Sequence, residues 1–256
     1  MTTDITFSVD GQIATITLNR PHKLNAITFE MADAIAAHVE RCNSDDGVRS
    51  VIITGAGDKA FCVGSDIGDL DRYDTAWNFR NRRDYCDAIR RLLKPSIAAV
   101  NGYAFGGGLE IAMSCDIRIV SENAQFAAPE IKLGWIGGGG MATFLAHSIG
   151  PSNAALMIMT GDPVSATQAL QWGLVSDVLP AGGLLTRARA IATTIAARAP
   201  IAAETAKLNL RAAFVMPLDK AIEYERDLQT ICFATEDAAE GRAAFKEKRQ
   251  PIFRRR

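Results

Sequence analysis

The chain is poor in the residues and motifs that most often announce a reaction. Its three histidines, His22, His38 and His147, are scattered and form no HExxH pair, which leaves zinc catalysis and histidine-based triads without a footing. The five cysteines, Cys42, Cys62, Cys86, Cys115 and Cys232, include no CxxC. Their odd number excludes complete internal pairing, and they read as reduced thiols packed as small hydrophobes. No metal site is expected. A GK[ST] phosphate loop and a GxSxG nucleophile elbow are missing too. Neither charge dominates, with 28 Lys and Arg against 29 Asp and Glu and a formal net charge of -1. That balance gives no broad electrostatic case for nucleic acid or an anionic membrane as partner. No apolar run approaches the roughly 20 residues that span a bilayer. The first residues, "MTTDITFSVDGQIATITLNRP", carry acids and alternation unlike a secretory or transit segment, so a cytoplasmic protein is expected.

What is present suits a large core. Of 256 residues, 48% are hydrophobic and 22% charged, and a globular chain of this size buries roughly three quarters of its unfolded surface. Two alternating segments, "ITFSVD" and "IATITLN", flank Asp10-Gly11, a hairpin signal. Thr28 can cap a helix of roughly 14 residues with Met31, Ile35, Val39 and Cys42 on one face. Buried strands are expected at Ser50 to Gly55, Ser96 to Val100, Asp116 to Val120 and Gly173 to Leu179, with a polar helix from about Asp74 to Lys94 and a short one from Gly107 to Cys115. After about Gly182 the pattern is almost purely helical. Alternating β and α units followed by helices suggest an α/β core with a helical tail. There is no fixed-period repeat. The charge runs "RNRRD" and "IRRLLK" read as solvated helix faces.

Two carboxylates carry the chemistry. Glu110 closes the glycine-dense "VNGYAFGGGLE" and Glu130 closes "NAQFAAPE". Pairs of carboxylates in unlike environments do acid and base work near neutral pH. The three glycines at 106–108 open a helix whose free N–H groups suit an oxygen that becomes negative, and Glu110 shares a helical face with Gly107. Tight helix–sheet packing with a solvated glutamate explains this segment equally well. The Gly64-Ser65 pair of "KAFCVGSDI" can turn a second amide toward the same place. "GAGDKA" fits a loose dinucleotide fingerprint, but "DKAFCVG" is a poor helix start and no second strand ends in the needed acid.

"NRPHKLNAI", "AFCVGSDI", "AAVNGYAFGGGLEIAMSCDIRI", "AQFAAPEIKLG" and "EGRAAFKEKRQPIF" together resemble the enoyl-CoA hydratase/isomerase family, also called crotonases. The likeness runs in order from about Asn19 to Phe253. It implies an α/β fold, a crotonase-type spiral of repeated ββα units over residues 1–195, with a C-terminal helical region over 196–256 that assembles a trimer or a dimer of trimers, a hexamer. It implies an acyl-CoA thioester substrate and no permanently bound cofactor, coenzyme A arriving as part of the substrate. By motif position, the amides of Ser65 and Gly107 form an oxyanion hole for the thioester oxygen. Glu110 activates the water that adds at Cβ, and Glu130 exchanges the proton at Cα. Lys23, Leu24 and Ala26 supply main-chain contacts to CoA, Asp66 and Ile67 join the substrate-binding set, and Phe245 and Lys248 reach the adenine and phosphates, often across a subunit boundary. The three terminal arginines read as a frayed, solvated end.

The chain departs from the family in "IKLGWIGGGGMATFLAHSIG". Hydratases of the family place a proline where Gly137 stands and a glycine where Met141 stands. Trp135 is bulky for a position beside the acyl path and Met141 adds adaptable volume, so both, with Trp77 and its neighbours Tyr73 and Phe79, are acyl-pocket candidates. Reversible hydration of a 2-enoyl-CoA to a 3-hydroxyacyl-CoA is the expected activity. The alternatives are a dehydratase of a modified acyl-CoA such as carnitinyl-CoA, an enoyl-CoA isomerase that needs mainly Glu130, and an acyl-CoA- or RNA-binding protein without turnover. Two retained carboxylates speak against the last, since nothing in the fold requires them.

Overall fold

The computed structural model describes residues 2–256; Met1, the first residue of the expected core, lies outside the described residues. Among the described residues ten strands form two sheets. β1 (Ile5–Asp10) and β2 (Ile13–Leu18) make the predicted antiparallel hairpin. Three ββ pairs follow: β3 (Ser50–Gly55) with β4 (Ala60–Cys62), β5 (Ser96–Val100) with β6 (Tyr103–Phe105), and β7 (Ile117–Ser121) with β8 (Gln125–Ala127). β9 (Val164–Ser165) and β10 (Asp177–Leu179) complete the set. The larger sheet runs β1-β2-β3-β5-β7-β10 and the smaller β4-β6-β8-β9. Each pair thus places its first strand in one sheet and its second in the other. Because β3, β5 and β7 are parallel neighbours, and so are β4, β6 and β8, successive units stack as the turns of a spiral.

The first strands are apolar on both faces, as parallel strands covered on two sides must be. In β3, Val51 and Ile53 join the main core while Ile52 faces a second cluster. Helix α1 (Phe29–Ser44) covers the main core, capped by Thr28, whose hydroxyl accepts from the Met31 amide at 3.2 Å. Met31, Ile35, Val39 and Cys42 are buried as expected. Next come α2 (Ile67–Leu70), α3 (Ala76–Arg80), α4 (Tyr85–Arg90), α5 (Gly107–Ser114), α6 (Met141–Thr160) and α7 (Ala166–Trp172). Among the C-terminal helices, α8 (Leu184–Ala196) closes the second cluster. It presents Leu184, Ala188, Ala192 and Ala196 at four-residue spacing, small side chains that let it lie close on the sheet. The tail continues through α9 (Pro200–Ala212), α10 (Leu218–Phe233) and α11 (Glu236–Glu247). All five cysteines are free, four of them buried. No helix among the described residues is long and apolar enough to cross a membrane.

Several expectations need correction. The polar helix expected from Asp74 to Lys94 is two short helices, because Asp84 breaks the run by capping α4 through the amides of Cys86 and Asp87. The strand expected from Gly173 shrinks to Asp177–Leu179, since Gly173 takes a left-handed conformation that ends α7. The charge runs are not simply solvated. Lys94 is buried and ion-paired to Glu204 at 3.0 Å, and Arg80 and Arg82 line a cavity. Nor is the terminus frayed. The buried carboxylate of Asp237 accepts from the amides of Arg254 (2.6 Å) and Arg255 (2.9 Å), and the Arg255 guanidinium pairs with Glu204 and Asp46. "GAGDKA" leads from β3 straight into β4 with no helix, so the dinucleotide reading fails.

Candidate active site

The spiral brings the candidate residues together. Ser65, Gly107 and Glu130 each follow, within three residues, the end of β4, β6 and β8, which are adjacent parallel strands of the smaller sheet. They therefore emerge side by side at one sheet end. There they border a cavity of about 810 Å³ whose wall also contains Glu110, a size within the range of small-molecule sites.

Glu110 sits in the first turn of α5 and is 5% exposed. Its Oε1 accepts from the amides of Gly139 (2.7 Å) and Met141 (3.1 Å). A side chain at 139 would collide with this carboxylate, since a Cβ there would stand 2.6 Å from Oε2, so only glycine allows the close approach. Burial pushes the Glu110 carboxyl up to about 7; the two amides oppose the rise, and the charges of Glu130 and Asp84 add to it. Glu130 lies in the 3-10 turn Pro129–Leu133. Its carboxyl is also raised by burial, and its buried Oε2 has no hydrogen-bond partner among the described residues. Both carboxylates border the same cavity; Glu110 is held by two amide donors, and Glu130 keeps one oxygen without a partner among the described residues.

The amides of Ser65 and Gly107 are likewise uncommitted among the described residues. Gly64, at φ +96°, bends the chain so closely to α5 that a Cβ on it would meet the Gly107 nitrogen at 3.0 Å. Tyr85, buried at the start of α4, pairs its hydroxyl with Ser65 Oγ at 3.0 Å. The sequence reading missed Tyr85, and also Gly139, whose amide orients Glu110. Ser65→Ala keeps the backbone amide and removes the hydroxyl pair, so kcat/KM on a turned-over substrate is expected to fall by no more than about fivefold, the worth of one ordinary hydrogen bond. A loss on the scale of a missing oxyanion donor would show that the hydroxyl, not the amide, matters.

Residues 8–256 match the family model described as Enoyl-CoA hydratase/isomerase. The chain is 42% identical over 250 residues to "Probable enoyl-CoA hydratase echA8" of Mycobacterium bovis, covering 96% of both chains. It is 41% identical over 246 residues to the mitochondrial enoyl-CoA hydratase of Pongo abelii, covering 96% of this chain and 84% of the relative. The crystal structure of an enoyl-CoA hydratase from Bacillus anthracis superimposes with a TM-score of 0.94 at 32% identity, covering 99% of this chain and all of that one. The chain belongs to the enoyl-CoA hydratase/isomerase family. Its fold is the crotonase spiral, as the sequence implied.

Ile67 and Trp135 line the cavity, and so does Phe79. Lys23, Leu24 and Ala26 do not. They belong to a tight turn whose left-handed residues are Leu24 (φ 52°) and Asn25 (φ 57°), with Leu24 beside a smaller hollow of about 220 Å³ that Lys59 also lines. Asp66 caps α2 and binds Arg20 at 2.6 Å, which holds its carboxyl below the usual range. Trp77 is 74% exposed and outside the cavity wall, and Tyr73 packs on Phe29 and Phe79 instead of lining it. Met141 is buried beneath the loop and meets the site through its amide. Phe245 is exposed in α11 and Lys248 ends that helix in a left-handed conformation, and neither lines the cavity.

Proposed function

We propose that the protein hydrates a 2-enoyl-CoA thioester reversibly to a 3-hydroxyacyl-CoA. The observation that carries this reading is the convergence of a buried carboxylate, Glu110, a half-buried one, Glu130, and two free amides on one cavity. The thioester oxygen takes the Ser65 and Gly107 amides. Glu110, fixed through Oε1, accepts a proton from water as the water oxygen bonds to Cβ. The Cα–Cβ π electrons pass to the thioester oxygen, which the amides stabilise as an enolate oxygen. Glu130 then delivers a proton to Cα, and a second proton exchange returns both carboxyls to their starting states. Burial raises both carboxyls, Glu110 to about 7, which favours proton exchange by the pair near neutral pH. Coenzyme A enters as part of the substrate, with the Lys23–Ala26 turn, Asp66 and Ile67 as its contacts. The supporting measurement is loss of the conjugated enoyl absorbance with trans-2-enoyl-CoA thioesters of increasing bulk. A product isomerised without added water, or no turnover of any thioester, would sink the reading.

The same reading carries a homo-oligomer, a trimer or a dimer of trimers, and a cytoplasmic location. Phe214, Val215, Leu218, Ile231 and Phe233 expose apolar side chains along the α9–α10 region, and α10 buries only Leu228 in its own protomer. Faces of this kind mark protein contacts, and a neighbouring copy there would bring Phe245 and Lys248 to a second cavity. Light scattering is expected to give a mass of several chains, with Val215→Asp reducing it. A wild-type protein that stays monomeric would remove the assembly and the cross-subunit role together.

A further inference from the structure

The mechanism leaves one part of the cavity wall unused, and that part is charged. Beside Phe79 it presents Arg80, Asn81, Arg82, Asp84 and Asp87. A purely apolar acyl tail against this wall would desolvate polar groups without return. Arg82 is held in place. Its Nη1 donates to the Phe79 carbonyl at 3.0 Å, its Nη2 to Asp84 Oδ2 at 3.1 Å, and its guanidinium lies 4.4 Å over the Phe79 ring. Asp84 is fixed in turn, because its Oδ1 caps α4. These bonds use two of the five N–H groups a guanidinium carries. Asp84 answers the charge of Arg82, and Asp87 is paired with Arg90. Arg80 has no carboxylate partner among the described residues, so its charge on this wall is unanswered.

The position along the cavity is informative as well. Arg82 Nη2 stands 3.4 Å from where a Cβ on Gly138 would be, and the next residue, Gly139, holds Glu110. The guanidinium therefore lies on the Glu110 side, where an acyl chain continues beyond Cβ. We propose that the acyl group carries a carboxylate at its end remote from the thioester, and that Arg82, assisted by Arg80, is the specificity-determining residue that recognises it. This rests on the cavity being the enoyl-CoA site. A rigid guanidinium fork with spare donors matches a carboxylate better than any apolar terminus.

Length-matched pairs of short trans-2-enoyl-CoA thioesters, one member ending in a carboxylate and one in a methyl group, test the proposal. The wild type is expected to favour the carboxylate member by about tenfold or more in kcat/KM, the scale of a charged hydrogen bond. Arg82→Met should cut that preference at least about tenfold, Arg82→Lys less, and the exposed Arg80→Gln in part. Thermal unfolding of each variant checks that it is folded, and Arg80→Gln keeps the test open should Arg82→Met fail. A wild type that favours the methyl member overturns the proposal. So does an Arg82→Met that weakens both members equally, which would assign Arg82 to the loop or to the CoA moiety. Calorimetric binding of the matching saturated thioesters reads the same preference without turnover. Preference in binding with no hydration would defeat the hydratase reading and leave the role of Arg82 standing; hydration without preference would do the reverse.

Discussion

Glu110→Gln is expected to lower kcat/KM for hydration by about 10²–10⁴-fold and, above pH 7, to raise the melting temperature of the protein. Both effects have one cause. Burial holds the Glu110 carboxyl at about 7 against an ordinary 4.5, so the folded protein prefers the neutral form. That preference corresponds to about 3 kcal/mol. Its sign follows from a folded pKa that lies above the unfolded one: the stabilisation is fully present below pH 4.5, declines as the pH rises, and is gone above about 7. At pH 8 the wild type therefore holds a buried charge that glutamine does not carry, while glutamine keeps an acceptor for the Gly139 and Met141 amides. The variant should melt several degrees higher at pH 8, at roughly 2–4 °C per kcal/mol, and differ little at pH 4. The wild-type kcat/KM should also rise with pH through about 7, a limb belonging to the coupled pair and lost in the variant. Glu130→Gln should match the activity loss, since its unpartnered Oε2 has no substitute as a proton donor to Cα. An active Glu110→Gln would refute the assignment of Glu110 as base, whatever its melting temperature.

How much of this was legible beforehand depended on the range of the interactions. The first strand of each unit is a buried apolar run and α1 has a clear face with a capping threonine, so pattern alone located them. The second strands, Ala60–Cys62, Tyr103–Phe105 and Gln125–Ala127, have three residues each, too few for any periodicity to register. Yet these strands make the sheet that gathers Ser65, Gly107 and Glu130. The repeat itself was hidden because its first strands begin at the uneven positions Ser50, Ser96 and Ile117, with helices of different length between them. Helix α6 escaped because two helical stretches meet at Gly150, φ 77°, beside Pro151, which punctuates the pattern. Glu110 and Glu130 stood out by their glycine and proline settings. Their supports did not: the Gly139 amide reaches Glu110 from 29 residues away, and the role of Arg82 depends on a turn set by Asp84. Motif resemblance pointed to these residues, and only the spiral explains why distant motifs meet.

Gly107→Ala should cost about 10²–10³-fold in kcat, the worth of one oxyanion donor, and a second substitution should recover part of it. A Cβ at 107 would lie 1.9 Å from the Tyr85 hydroxyl, 3.0 Å from its Cζ and 3.3 Å from Gly64 Cα. Something must yield, and the elements that can yield are α4 and the Gly64–Ser65 turn, both of which set where the two amides point. Tyr85→Phe deletes the atom that collides first and leaves contacts that shifts of a few tenths of an ångström can relieve. The double variant is therefore expected to turn over faster than Gly107→Ala alone, even though Tyr85→Phe in the wild type gains nothing. Gly108→Ala provides the contrast. Its Cβ would meet the Cys62 carbonyl at 2.0 Å, backbone of β4 that no side-chain deletion can clear, so it should lose melting temperature and yield with no rescue by Tyr85→Phe. Steady-state kinetics and thermal unfolding of the three single and two double variants separate the two cases. If Gly107→Ala is as active as the wild type, or if Tyr85→Phe fails to improve it, the amide at 107 is not held in place by the packing described here, and the oxyanion role must pass to another donor at the end of β6.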